Sequence, residues 1–249
     1  MALHDDGWCD SAAAWVRHQG DRGDFARVHV LDAVMLPRAL NPRPRRALDV
    51  GCGEGRFCRL LAQEGVETTG LDPTAPLIAH ARQLHPAGTY VEGVAEELPF
   101  SDASFDLVVS YLSLIDIPDA GAAIAEMARV LEPGGRLLIA NLTAFNTACA
   151  DRGWVKGTDG RKLHFPVDRY LEERGMWIEW AGIRIVNYHR PMRYYMQHLL
   201  GAGLRLTWFD EPEPAADATP SRAENYRRVP WSLVMEWVKP QSAQTTSPE

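Results

Sequence analysis

The chain has 249 residues, 46% of them hydrophobic, which suffices for one sizeable core with an appended cap and does not require two independent domains. Its formal charge of −7 argues against a sequence-independent hold on nucleic acid, which relies on lysine and arginine to neutralise phosphates, and favours small-molecule or neutral partners. No apolar run approaches the roughly 20 residues of a membrane helix, Met1 to Asp10 lacks the plan of a signal peptide, and the four cysteines form no C-x-x-C pair. A soluble, cytoplasmic protein with reduced thiols, no metal and no membrane span is expected, its oligomeric state left open.

Residues 1–45 read as an N-terminal helical arm. Ser11 to His18 and Asp24 to Leu40 are helical, the second with Phe25, Val28, Leu31, Val34, Met35 and Leu36 at helix spacing. Arg38, Arg43, Arg45 and Arg46 then cluster among prolines, the pattern of a solvated connector. From residue 46 to 142 short apolar runs alternate with helix-period stretches, as βαβ crossovers do. Strands are expected at 46–50, 66–71, 89–93, 105–110 and 135–142, with helices near 55–64, 74–85 and 119–131, the last stopped by Pro133-Gly134-Gly135. Residues 143–190 break the rhythm with many aromatics and a hairpin turning near Ala181-Gly182; this insertion reads as a cap. Residues 191–240 return to the core as a helix from Met192 to Ala202 and two antiparallel strands, Leu204 to Phe209 and Trp231 to Val238, separated by a long polar loop from Glu211 to Arg228. Residues 241–249 are expected to be a disordered tail. The fold class is α/β: a doubly wound, mostly parallel sheet with a C-terminal antiparallel pair, an arm and a cap.

The chemistry centres on Arg46-Ala47-Leu48-Asp49-Val50, an apolar strand that runs into Gly51-x-Gly53-x-Gly55 and then a helix. Glycines there let backbone turn tightly and approach a ligand. A little over twenty residues after the first glycine, Asp72 ends the second strand, where a carboxylate can accept both hydroxyls of a ribose or cap the next helix; joined to the glycine turn, ribose is favoured. Dinucleotide sites want a third glycine where this chain has Arg56, so a pyrophosphate fits poorly.

Leu48 to Gly55 resembles motif I of the class I S-adenosylmethionine-dependent methyltransferases. Gly70-Leu71-Asp72-Pro73, Ala95-Glu96-Glu97-Leu98-Pro99-Phe100 with Ser104-Phe105-Asp106, and Val130-Leu131-Glu132-Pro133-Gly134-Gly135 match later family segments in order, across about residues 46–142, most like the UbiE/Coq5-like small-molecule (methyltransferase type 11) group. The resemblance implies a Rossmann-like core and S-adenosyl-L-methionine as cofactor, with Gly51, Cys52 and Gly53 under its methionine part, Asp72 at the ribose, Ala95 and Glu96 bordering the adenine, a Ser110 carbonyl near its amino group, and Asp49, Pro73 and Val94 also among the cofactor-binding residues. Val94 replaces the acidic residue that many relatives carry there. Trp15, Arg17, Phe25 and Arg27 of the arm could fold over the cofactor or simply pack.

Methyl transfer from a sulfonium needs no metal, so alignment in a dry site can carry it. Ser110-Tyr111-Leu112-Ser113 is unlike the Asn/Asp-Pro-Pro-aromatic run of amide and base N-methylating relatives. His164, Asp168 and His189 are the candidate general bases, and Tyr111, Trp177, Trp180, Tyr188 and Tyr194 the candidate acceptor-binding residues, unless the cap aromatics only hold the cap to the sheet. His80 and His85 fall on a surface helix. The expectation is methyl transfer to an O or N atom of a small planar or hydrophobic molecule; the alternatives are a NAD(P)-linked oxidoreductase on the same sheet and a non-catalytic S-adenosylmethionine-binding protein.

Overall fold

A computed structural model describes residues 6–149 and 153–241; most of the expected tail lies outside the described residues. The arm is α1 (Trp8–Gln19), a π-helical stretch (Arg27–Leu31) and α2 (Asp32–Ala39). The core follows as β1 (Arg46–Val50), α3 (Arg56–Gln63), β2 (Glu67–Asp72), α4 (Ala75–Leu84), β3 (Thr89–Glu92), β4 (Phe105–Tyr111), α5 (Ala120–Val130) and β5 (Leu131–Leu142). The insertion carries α6 (Ala144–Thr147), a small hairpin β6 (Val155–Lys156) and β7 (Lys162–His164), and a longer one, β8 (Arg174–Trp180) and β9 (Ile183–His189). The chain ends on α7 (Met192–Gly201), β10 (Arg205–Asp210), α8 (Pro220–Arg228) and β11 (Ser232–Val238).

The sheet order is β10-β11-β5-β4-β1-β2-β3, with β3, β2, β1, β4 and β5 parallel and β11 and β10 antiparallel. The order reverses between β1 and β4, and the crevice outside the carboxyl ends of those two strands is where such sheets bind ligands. Strands buried on both faces lack simple alternation, which is why the apolar runs are continuous. Leu48, Val50 and Val108 pack on one face against Ile124, Met127 and Leu199. Ala47, Leu107 and Val109 pack on the other against Met35, Phe57 and Leu61. Asp49 shares the face of Ala47, beneath the arm, because side chains along a strand alternate.

Four expectations are corrected. The segment from Glu211 to Arg228 is not all loop: Pro220, favoured at a first helical position, opens α8. That helix buries only Ala223, too little apolar periodicity to show in the sequence. Pro133-Gly134-Gly135 does end α5, but it lies inside β5, where Gly134 takes φ +83° and the backbone pairs with Lys239. The second arm helix is interrupted by the π-helical turn. The arginine cluster is more than a solvated connector: Arg45 and Arg46 pair with Glu132, Arg43 with Glu64, and Arg38 stacks 3.7 Å over Trp208. Among the described residues no helix is long and apolar enough to cross a membrane.

Candidate active site

The turn after β1 is held by backbone and by neighbours that tolerate only glycine. The Gly51 and Cys52 N–H groups both donate to the Leu71 carbonyl, tying the turn to the end of β2. Gly51 sits at φ +75°, and a Cβ there would lie 2.3 Å from the Ser113 Cβ. Ser113 in turn donates to the Val50 carbonyl at 2.6 Å and shares a hydrogen bond with Ser110, so β4 braces the turn from below. At Gly55 a Cβ would meet the Tyr90 ring at 2.5 Å.

Asp72 braces two backbone segments. One carboxylate oxygen accepts from Thr74 N–H at 2.8 Å at the entrance to α4, and the other from Gly53 N–H at 2.8 Å. Burial raises its proton affinity, opposed by those two donors. Asp49 is buried more starkly: one oxygen accepts from the Cys58 thiol at 3.6 Å, the other has no hydrogen-bond partner. Desolvation pushes its pKa up to about 7, with repulsion from Asp72 and Glu54 adding to it and Cys58 and Arg27 opposing it.

The arm closes this cleft. Trp15 donates from Nε1 to buried Glu54 at 3.2 Å. The Arg27 guanidinium stands 5.0 Å over the Trp15 ring and 5.6 Å over the Tyr111 ring, oriented by Asp24 at 2.7 Å. Tyr111 donates to Asp32 at 2.9 Å, and Asp32 also receives Arg56, which fastens α2 to the start of α3. Trp15, Arg27, Asp49, Gly51, Cys52, Gly53 and Tyr111 thus line one cleft. Arg17 is exposed, and Phe25 packs on Tyr226 instead.

Other candidates fall elsewhere. Ala95 is turned into the core and Glu96 accepts from Asp119 N–H at 3.2 Å, so its carboxylate is already engaged at the start of α5. Pro73 and Val94 are half-buried at the ends of β2 and β3, and Ser110 is fully buried, acting on the turn through Ser113. His189 is fully buried with one ring nitrogen on Thr147 at 2.7 Å and the other on the Tyr170 carbonyl at 2.9 Å, which fixes it structurally and removes it as a general base. His164 and Asp168 are exposed and lie outside the cleft lining. The cap aromatics do not form one pocket: in the β8–β9 register Trp180 pairs with Ile183 on the inner face, whereas Trp177 pairs with Val186, and Gly175 with Tyr188, on the outer. Trp180 packs with Ala14, Ile183 and Ile185 against α1, and Trp177 is 46% exposed beneath Arg184. The Tyr194 hydroxyl accepts from Gly121 N–H at 3.1 Å.

Three carboxylates, Asp49, Glu54 and Asp72, therefore converge on a glycine turn, with Arg27 and Arg56 lining the same cleft but engaged by Asp24 and Asp32. The unpartnered oxygen of Asp49 suits a ligand bearing positive charge, as a sulfonium amino acid does, and is wrong for a pyrophosphate. Residues 48–139 match the family described as "Methyltransferase domain". The chain is 32% identical over 177 residues to a malonyl-[acyl-carrier protein] O-methyltransferase of Pseudescherichia vulneris, covering 67% of this chain and 69% of that one. The chain belongs to the class I S-adenosylmethionine-dependent methyltransferases. A protein of the same description from Erwinia billingiae is 38% identical over 127 residues, covering 51% of this chain and 49% of that one. A demethylmenaquinone methyltransferase of Beutenbergia cavernae is 38% identical over 106 residues, covering 42% of this chain and 44% of that one; the chain thus spans about half the length of these two relatives. The solved S-adenosylmethionine-dependent methyltransferase of Mesorhizobium loti superposes with a TM-score of 0.71 at 26% identity, over 81% of this chain and 96% of that one. S-adenosylmethionine is the cofactor of this methyltransferase, and the oxidoreductase alternative falls away.

Sequence reasoning missed Glu54, Asp32 and Asp116. Glu54 lies inside the glycine motif itself, where an acidic residue among glycines could have been read as a ligand; the other two carry no local signal.

Proposed function

We propose that this protein moves the methyl group of S-adenosylmethionine to an O or N atom of a small, neutral acceptor with planar or apolar character. The observation that carries this reading is the carboxylate-lined glycine turn closed by Trp15, Arg27 and Tyr111. In it Gly51, Cys52 and Gly53 would pass backbone under the methionine part, Asp49 would meet its ammonium group, and Asp72 would take the ribose hydroxyls. Ala95 can border the adenine only through its backbone, since its side chain is buried. The cofactor supplies a methyl carbon made electrophilic by the sulfonium. The chain's part is to hold the acceptor in line and exclude water, and the arm over the cleft serves the second purpose.

A second reading, methylation of a carboxylate ester precursor, is favoured by the names of the malonyl-[acyl-carrier protein] relatives. The concentration of acidic groups around the cleft weighs against an anionic acceptor, because each would repel it. Calorimetric titration with S-adenosylhomocysteine and with NADH, followed by labelled S-adenosylmethionine on a metabolite panel, tests the proposal. Binding of S-adenosylhomocysteine, no binding of NADH and label in a neutral product are expected; NADH binding alone would end it. We place the protein in the cytoplasm on the same footing, and fractionation checks that.

A further inference from the structure

The loop from the end of β4 to α5 carries a carboxylate that the cofactor does not need. It leaves the carboxyl end of the strand that flanks β1, on the ligand-binding edge of the sheet. Ser113 in this loop presses on Gly51, and Asp116 follows three residues later. Asp116 is half-buried, in contrast to sealed His189 and exposed His164 and Asp168.

Strand β9 spends a run of polar groups on holding this loop. The Asn187 side-chain amide donates to the Asp116 carboxylate. Tyr188 N–H donates to the Ile115 carbonyl at 2.7 Å. Arg190, itself buried, donates to the carbonyls of Leu114 at 3.2 Å and of Ile117 and Pro118 at 2.7 Å each. The backbone is therefore clamped on both sides of Asp116 and its carboxylate is oriented by a third contact. Asp116 thus sits between the cap strand and the carboxyl end of β4, three residues after Ser113, whose side chain lies against Gly51, and Asp6, Arg27 and Asp72 are among the charges that act on it.

We propose that Asp116 takes the proton of the methyl acceptor, which is a neutral O–H or N–H compound and not a carboxylate. This rests on the methyl-transfer reading above. The sulfur–carbon bond breaks with its electron pair left on sulfur, the new bond joins the methyl carbon to the acceptor oxygen or nitrogen, and the acceptor's proton passes to Asp116. Burial raises the proton affinity of Asp116, with Asn187 and Arg27 opposing and Asp6 and Asp72 adding to the rise, which makes it a stronger base than a solvated carboxylate.

The test supplies labelled S-adenosylmethionine with a panel of phenols, amines and carboxylic acids to the intact protein, Asp116→Asn and Asp116→Glu, with S-adenosylhomocysteine affinity measured for each. The expected result is label in phenols or amines and none in carboxylic acids. Asp116→Asn should lower kcat at least 100-fold, leave KM for the acceptor and S-adenosylhomocysteine affinity within threefold, and remove the acid limb of the kcat–pH profile; Asp116→Glu should restore part of the rate. A kcat for Asp116→Asn within threefold of the intact protein, turnover of carboxylic acids, or no turnover of any phenol or amine by protein that binds S-adenosylhomocysteine would overturn it. If the intact protein did not bind S-adenosylhomocysteine, the methyl-transfer reading would fail, and this proposal with it.

Discussion

Within the strand–turn–strand unit that carries the glycine turn, the contacts join residues close in sequence, Gly53 and Asp72 being 19 residues apart and Asp49 and Cys58 nine, while the arm and Ser113 reach it from farther off. In the cap half they span far more chain, 71 residues from Asp116 to Asn187 and 76 from Leu114 to Arg190. The first half is one βαβ unit that folds on itself, so its ligand groups come at nearly fixed spacing. The second exists only where two distant segments meet, and its strength lies in a few buried polar clamps rather than in a motif.

The largest effect should come from breaking such a clamp. Arg190→Met leaves three inward carbonyls without their donor and should cost about 3–5 kcal/mol in urea unfolding, a loss typical of removing one partner from a buried polar network. If the two halves are as separate as their contacts, S-adenosylhomocysteine affinity of the folded variant should change little; an affinity loss as large as the stability loss would show them to be one unit.

Next in size is Asp72→Ala, expected to weaken S-adenosylhomocysteine binding by about 1.5–3 kcal/mol in calorimetry through lost charge-assisted hydrogen bonds. Unchanged affinity would reduce Asp72 to a brace between Gly53 and Thr74.

Asp49→Asn sharpens the picture through pH. The folded protein holds Asp49 near 7, above its unfolded value, so the buried charge opposes folding most at high pH, and stability recovers as pH falls from about 7 toward 4. The variant should therefore melt higher than the parent at pH 8, by on the order of 2 kcal/mol, and lose that advantage as pH is lowered. A constant difference across pH 5 to 8 would mean that Asp49 keeps an ordinary carboxylate pKa.

The smallest contrast lies within the cap. Trp180→Ala removes a ring packed between the hairpin and α1 and should cost about 2 kcal/mol, whereas Trp177→Ala, on the outer face, should cost less than about 1 kcal/mol. Equal losses would contradict the alternation of the β8–β9 register.

How much was legible follows the same division. The parallel strands, the glycine turn and the carboxylate ending β2 could be read because apolar runs, turn glycines and βαβ spacing are local signals. The amphipathic pattern of the arm was also visible, and Trp15 and Arg27 do fold over the turn. Trp177, Trp180 and Tyr188 were grouped by density of aromatics, which ignores the face each takes once a hairpin register is set. His189 looked like a base because its chemistry permits one; Thr147 and the Tyr170 carbonyl decide otherwise.

From the sequence alone came the order of the elements, the doubly wound sheet and the identity of a cofactor whose binding groups lie within one local unit. Only the tertiary structure decided that the arm lies over the turn, that Asp49 keeps an oxygen unpaired, and that Asp116 is clamped by β9. Burial and long-range hydrogen bonds set the proton affinity and orientation of such groups, and neither quantity belongs to a residue until the chain has closed around it.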